Sequence, residues 1–258
     1  VETMLQDAGW PTVLERHFRR GLAYARLGEF QQARREWKHC EKLKQGPSRF
    51  YRVLALASAT YGIYPEGVSW ARAAAQNLSS GDPRRVGYDR LSYPAAFYDA
   101  VSHWSKDRGL LTDEVWAMMR QESLYDPHAV SRAGARGLLQ IMPSTLERMI
   151  NQGDYPPATA DVLFRPLVNI ELSTRFFKDR LTEFDDMLLP ALASYNAGEG
   201  KSHQWLERSQ GDPNEMFLEC VGYPETYGYI RRIVWMAWLY RSYYPKLAEQ
   251  DLRDARTR

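Results

Sequence analysis

Residues 115–145 read VWAMMRQESLYDPHAVSRAGARGLLQIMPST, an order of residues that few folds can hold. Val115, Met118 and Met119 recur at the three-and-four spacing of an apolar helix face. Glu122 falls on that face one turn later, where the period calls for another hydrophobe. Pro127 bars much continuation and biases Asp126 away from helical geometry, so Glu122 stands near the helix end. The next segment is broken by Ser131, Gly134 and Gly137 and reads as a turn or small hairpin. Ser144 and Glu147 then carry the spacing of a capping box that opens a further helix.

A carboxylate placed like Glu122 meets two effects that disfavour its charge. Apolar neighbours desolvate it, and the negative end of the helix dipole repels it. A neutral Glu at physiological pH is what a general acid must be. The plainer alternative is a surface Glu at a frayed terminus. The Gly-punctuated loop and helix that follow favour the first reading, because such a loop can present polar groups across a cleft.

The rest of the chain reads as helices. Leu14, Phe18, Leu22 and Ala25 line one face, Gly28 marks a turn, and Ala33 and Trp37 resume the pattern. A second pair follows over residues 48–78 with its turn at Gly62, an offset of 34 residues, and LAYARLGEF aligns with LASATYGIY. That period is the one of tetratricopeptide-type helical pairs. Two such pairs make a scaffold beside a catalytic part or a groove for protein partners, and the scaffold is favoured. SSGDPRRVGYDRLSYP, residues 79–94, is Gly-, Pro- and Ser-rich and reads as the joint. The expected domains are therefore residues 1–85, a TPR-like repeat region, and residues 86–258, the catalytic part.

Beyond the joint, Phe97, Val101 and Trp104 begin an amphipathic helix. His128 reads as an exposed or locally bonded loop residue. NQGDYPPATADVLFRP is a connection, and Leu172, Phe176, Phe177, Arg180 and Leu181 lie on another amphipathic helix. A helix over residues 185–194 ends in ALASYNAG, which puts Tyr195 and Asn196 at a terminus. As lone residues these two read as a buried Tyr and a C-cap Asn. Glu225 follows Pro224 at the start of the last helix, where the dipole favours an anion; on its own it reads as a helix-start acid.

The chain has 258 residues and a formal charge of +2, with no basic block that would suggest nucleic-acid binding. Aromatic residues make up 13%, which suits both core packing and stacking on sugars. Cys40 and Cys220 have neither metal nor redox spacing and read as separate thiols, with no metal or cofactor expected. No secretory signal is visible and the first residue is Val1, so a processed or trimmed chain is expected. The apolar stretch over residues 229–244 is interrupted by Arg231, Arg232 and Arg241, against a membrane span.

Glu122-Ser123, then Ser131, then AGARGLLQIMPST, and later ALASYNAG together resemble the soluble lytic transglycosylases that cleave bacterial peptidoglycan. The resemblance covers about the last two-thirds of the chain, in order and spacing. It implies an all-α fold, lysozyme-like in the catalytic part with at most a minor hairpin, preceded by helical repeats. It also implies a periplasmic, monomeric enzyme acting on glycan strands. Position by position, Glu122 is then the acid and base. Ser131 contacts the acetamido group, and Gln140, Met142, Tyr195 and Asn196 line the sugar subsites. Glu225 and Tyr229 lie by the cleft and bind substrate, although Tyr227 stands where many relatives have Arg.

Glycoside cleavage usually takes two flanking carboxylates. No Asp or Glu lies between Asp126 and Glu147, so one acid serves twice or the substrate assists. The family chemistry fits this: one Glu protonates the MurNAc–GlcNAc oxygen, then deprotonates the C6 hydroxyl as a 1,6-anhydro ring closes. Two rivals stay open: a hydrolytic muramidase using a distant carboxylate such as Asp185 or Asp186, and a non-catalytic wall-binding or assembly module.

Overall fold

The computed structural model describes residues 10–42, 48–76, 78–79 and 81–247. The chain divides into two compact units, Val1–Ala96 and Phe97–Arg258.

In the first unit α1 (Thr12–Arg26) packs on α2 (Phe30–Lys42), and α3 (Ser48–Tyr61) packs on α4 (Tyr64–Ala75). Leu14, Phe18, Leu22, Ala25, Ala33 and Trp37 are buried, which is the stripe that the periodicity predicts. Gly28 and Gly62 take φ of 77° and 69° at the two turns, a left-handed conformation that favours glycine. The expected joint is mostly a helix, α5 (Pro83–Ser92), and it packs against α4. Asp82 caps it by accepting from the Arg84 N–H at 2.9 Å, and Pro83 supplies the preset first residue. The first unit runs to Ala96.

The second unit holds α6 (Tyr98–Arg108), α7 (Thr112–Ser123), α8 (Pro143–Asn151), a 3-10 turn (Ala160–Phe164) and α9 (Pro166–Glu183). Then follow α10 (Leu188–Ala197), α11 (Glu199–Arg208), α12 (Glu215–Cys220) and α13 (Pro224–Tyr243). The sequence reading has no counterpart for α11 and α12. Every residue of α7 from Thr112 to Arg120 is buried, and its main neighbour is α13. Burying Val115, Met118 and Met119 stabilises the unit by about 1.5–3 kcal/mol each. The helix stops at Ser123 because Leu124 and Tyr125 turn left-handed, at φ 53° and 65°, before Pro127 is reached. Tyr125 is fully buried and its hydroxyl meets that of Tyr240 on α13, which anchors the reversal.

Among the described residues, β-type pairing is confined to two isolated bridges, Val130 with Arg136 and Arg136 with Ile141. The Ser144–Glu147 capping box does not form. Met142 is the N-cap and Pro143 takes the first helical position, so Ser144 lies one residue too late to cap. Cys40 and Cys220 are free thiols. Among the described residues no helix is long and apolar enough to cross a membrane.

Candidate active site

Glu122 sits in the last turn of α7, only partly exposed. Its carboxyl pKa is raised to about 7, first by desolvation and further by the negative charge of Glu225. A hydrogen bond from the Tyr229 hydroxyl to Oε1, at 2.6 Å, acts in the opposite sense. Tyr229 is 2% exposed, and its hydroxyl is engaged with the acid. The sequence reading groups Tyr229 with the residues that bind substrate; in the structure its hydroxyl donates to Glu122. Burial and the Glu122 charge hold the Tyr229 and Tyr195 phenols well above their usual pKa, so both remain neutral donors.

Residues 136–141 form a loop tied to α7 and α10. Ser123, beside Glu122, donates to Leu138 O at 2.7 Å, and the Tyr195 hydroxyl donates to Leu139 O at 2.8 Å. Gln140 has φ 51°, and its amide nitrogen donates to Gly137 O at 2.8 Å and Ala129 O at 3.2 Å. The Gln140 amide nitrogen thus clamps the loop. Ser131 pairs with Ala135: its N–H donates to Ala135 O, and its Oγ accepts from Ala135 N, both at 3.0 Å. Met142 is partly exposed at the start of α8.

Tyr195 and Asn196 lie in the last turn of α10 rather than beyond it. Asn196 Oδ1 accepts from the Thr226 hydroxyl at 2.7 Å, which ties that end to the start of α13. Glu225, in the first turn of α13, is exposed; its charge reaches Glu122. The structure therefore gathers Glu122, Tyr195, Gln140 and Tyr229 through bonds that meet on one acid and one loop. Asp185 and Asp186 are exposed in the turn between α9 and α10, and Asp186 pairs with Lys178 at 2.9 Å. His128 is exposed.

The residue that the sequence reading misses is Asn169. It is fully buried on α9 and bonds backbone groups of Arg136, Leu139 and Leu163. Its signal was available: it precedes Leu172 and Phe176 by three and seven positions, an amide on an otherwise apolar face. For a metal, the described residues offer one cluster, Glu183, Glu199 and His203, with ligand atoms within 4.8 Å of one another. Glu199 is already paired with Arg180 at 2.6 Å and His203 with Glu183 at 2.8 Å, so these groups already have partners.

Residues 99–217 match the family described as "Transglycosylase SLT domain". The soluble lytic murein transglycosylase of Salmonella typhimurium is 30% identical over 154 residues, which are 59% of this chain and 23% of that relative. The chain therefore spans about a quarter of the length of such curated relatives. A solved lytic transglycosylase Slt from Pseudomonas aeruginosa, an inactive Glu-to-Gln mutant, is 27% identical with a TM-score of 0.68. The match covers 92% of this chain and 37% of that one. The 70 kDa soluble lytic transglycosylase of Escherichia coli shares the fold, with a TM-score of 0.73 at 22% identity, over 92% of this chain and 38% of that one. The all-α, lysozyme-like second unit thus resembles the transglycosylase SLT domain family over residues 99–217 and shares the fold of solved lytic transglycosylases.

Proposed function

We propose that this chain cleaves the MurNAc–GlcNAc linkage of peptidoglycan glycan strands in the periplasm and leaves a 1,6-anhydro end. The observation that carries this reading is Glu122, a carboxyl raised to about 7 by burial. Close to neutral pH such a group exists in both forms, so it can give a proton and take one back.

Neutral Glu122 donates its proton to the glycosidic oxygen as the bond from that oxygen to C1 of MurNAc breaks. The GlcNAc portion leaves as the alcohol. The neighbouring acetamido carbonyl supports the electron-poor C1, and the Ser131 hydroxyl, with its oxygen held by Ala135 N–H, orients that group. The Glu122 carboxylate then removes the C6 hydroxyl proton while O6 closes on C1. The acid is restored and no water is consumed. Tyr229 stays protonated throughout and fixes the carboxyl through Oε1. Gln140 and Asn196 each keep one amide atom for sugar hydroxyl and acetamido groups, and Met142 gives an apolar wall.

The deciding experiment is product mass from defined glycan strands. An anhydro end is lighter by one water than a hydrolysed one. Products carrying the added water would replace this reading with hydrolysis, and intact strands would replace it with binding alone.

A further inference from the structure

We propose that Asn169 is a positioning residue that sets the distance between the sugar-contacting loop and Glu122. The inference deepens the glycan-cleaving reading and rests on it for its kinetic arm.

Asn169 is 0% exposed, and its amide is fully employed. Oδ1 accepts from Leu139 N at 2.9 Å and from the Ser173 hydroxyl at 3.4 Å. Nδ2 donates to Arg136 O at 3.0 Å and to Leu163 O at 2.9 Å. An amide has two donors and an acceptor oxygen, so it alone among small side chains satisfies two carbonyls and an N–H together. Between the two loop points it holds stands Gly137. A Cβ there would lie 2.5 Å from Asn169 Nδ2 and 2.1 Å from Leu163 O. The backbone has been brought against the amide as closely as the chain allows.

Two carbonyls of the loop are held by α7 and α10. Leu138 O takes the Ser123 hydroxyl and Leu139 O takes that of Tyr195. Leu139 is therefore held at its N–H by Asn169 on α9 and at its carbonyl by Tyr195 on α10, and Leu138 by Ser123 on α7, next to Glu122. Gln140 follows directly in a left-handed conformation at φ 51°, which a non-glycine residue keeps only where its neighbours over-determine it. Freeing Arg136 and Leu139 from α9 lets this segment relax and carries Gln140 out of register with Glu122. Nothing in the contacts of Asn169 involves Glu122 itself, so the acid should keep its own proton equilibrium.

The test is Asn169→Ser in the full chain. Reading KM and kcat separately on glycan strands, the expected result is a raised KM and a kcat/KM lower by about 10²-fold, the scale of an ångström-sized misplacement. The alkaline limb of the pH profile stays where it is. Hydrogen exchange should show Leu139 N–H losing protection while amides within α7 and α9 keep theirs. A merely structural role gives the opposite split: KM unchanged, with kcat reduced in proportion to the folded fraction seen by near-UV circular dichroism. That result, or a Leu139 amide still protected in the variant, overturns the proposal. Fast exchange of Leu139 N–H in the unaltered chain overturns it too and needs no variant. If the unaltered chain cleaves nothing, the glycan reading fails by itself and the exchange measurement still decides the role of Asn169.

Discussion

The Tyr229 hydroxyl donates to Glu122 Oε1 at 2.6 Å, which joins the last turn of α7 to the first turns of α13. This bond favours the carboxylate, whereas desolvation and the Glu225 charge favour the neutral acid. The proton affinity of Glu122 is thus a balance in which burial dominates, and each minor contribution can be removed singly.

Tyr229→Phe and Glu225→Gln should shift the pH profile in opposite directions. Glu122 must be protonated to act as an acid, so activity is lost as pH rises through its pKa. Tyr229→Phe removes a donor that stabilises the anion; the pKa rises above about 7 and the alkaline limb moves to higher pH. Glu225→Gln removes a like charge; the pKa falls and the limb moves lower. The dependence of kcat/KM on pH reads the free enzyme and reports both shifts. Movement of both limbs in one direction contradicts the balance described.

The same pKa has a consequence for stability. Folding raises the Glu122 pKa from the ordinary 4.5 to about 7, so between these values the folded state holds a proton that the unfolded chain has released. The contribution is fully present below pH 4.5 and is lost as pH rises through about 7. Its upper bound is roughly 3.5 kcal/mol, at about 1.4 kcal/mol per pKa unit, and solvent at the partly exposed side chain reduces it. Glu122→Gln has no proton to lose. Its denaturant midpoint should match the unaltered chain near pH 4 and exceed it near pH 8. A constant difference across that range would remove Glu122 as the source.

The activity of Glu122→Gln should be lower by about 10⁴-fold, the upper end for a positioned acid, because both proton transfers are lost together. Purified sacculi provide the substrate, and release of soluble muropeptides is the readout. A rate within about tenfold of the unaltered chain would move the chemistry to another residue.

Local periodicity carries much of this fold. The Leu14–Ala25 stripe, the Gly28 and Gly62 turns and the burial of Met118 and Met119 follow from three-and-four spacing alone. Glu122 was legible as a carboxylate on an apolar face, but its partner was not. Tyr229 lies 107 residues away, and no local pattern records which distant helix packs on α7. Short-range chemistry misled in two places. Asp82-Pro83 belongs to a Pro- and Gly-rich stretch, yet it is a helix start. Ser144 and Glu147 have capping-box spacing, but Pro143 had already fixed the helix start a residue earlier. Asn169 was passed over because an amide on an apolar stripe reads as noise until the carbonyls it meets are known.

Two glycines of the loop separate backbone strain from close packing. Gly134 and Gly137 both have positive φ, 91° and 79°, so an Ala at either place costs about 1 kcal/mol in conformation alone. A Cβ on Gly134 meets nothing within 4 Å, and Gly134→Ala should stop at that cost. A Cβ on Gly137 would lie 2.1 Å from Leu163 O, a backbone atom that cannot swing aside, and 2.5 Å from the Asn169 amide. Overpacking of that kind adds about 1–3 kcal/mol, so Gly137→Ala should cost about 2–4 kcal/mol in all. The displacement also pushes Leu139 from Asn169, so KM on glycan strands should rise in Gly137→Ala and hold steady in Gly134→Ala. Denaturant midpoints and KM values for the two variants measure this directly. Equal costs at the two positions would mean that the loop is not pressed against α9, and that its geometry at the acid is set by the loop's own turns.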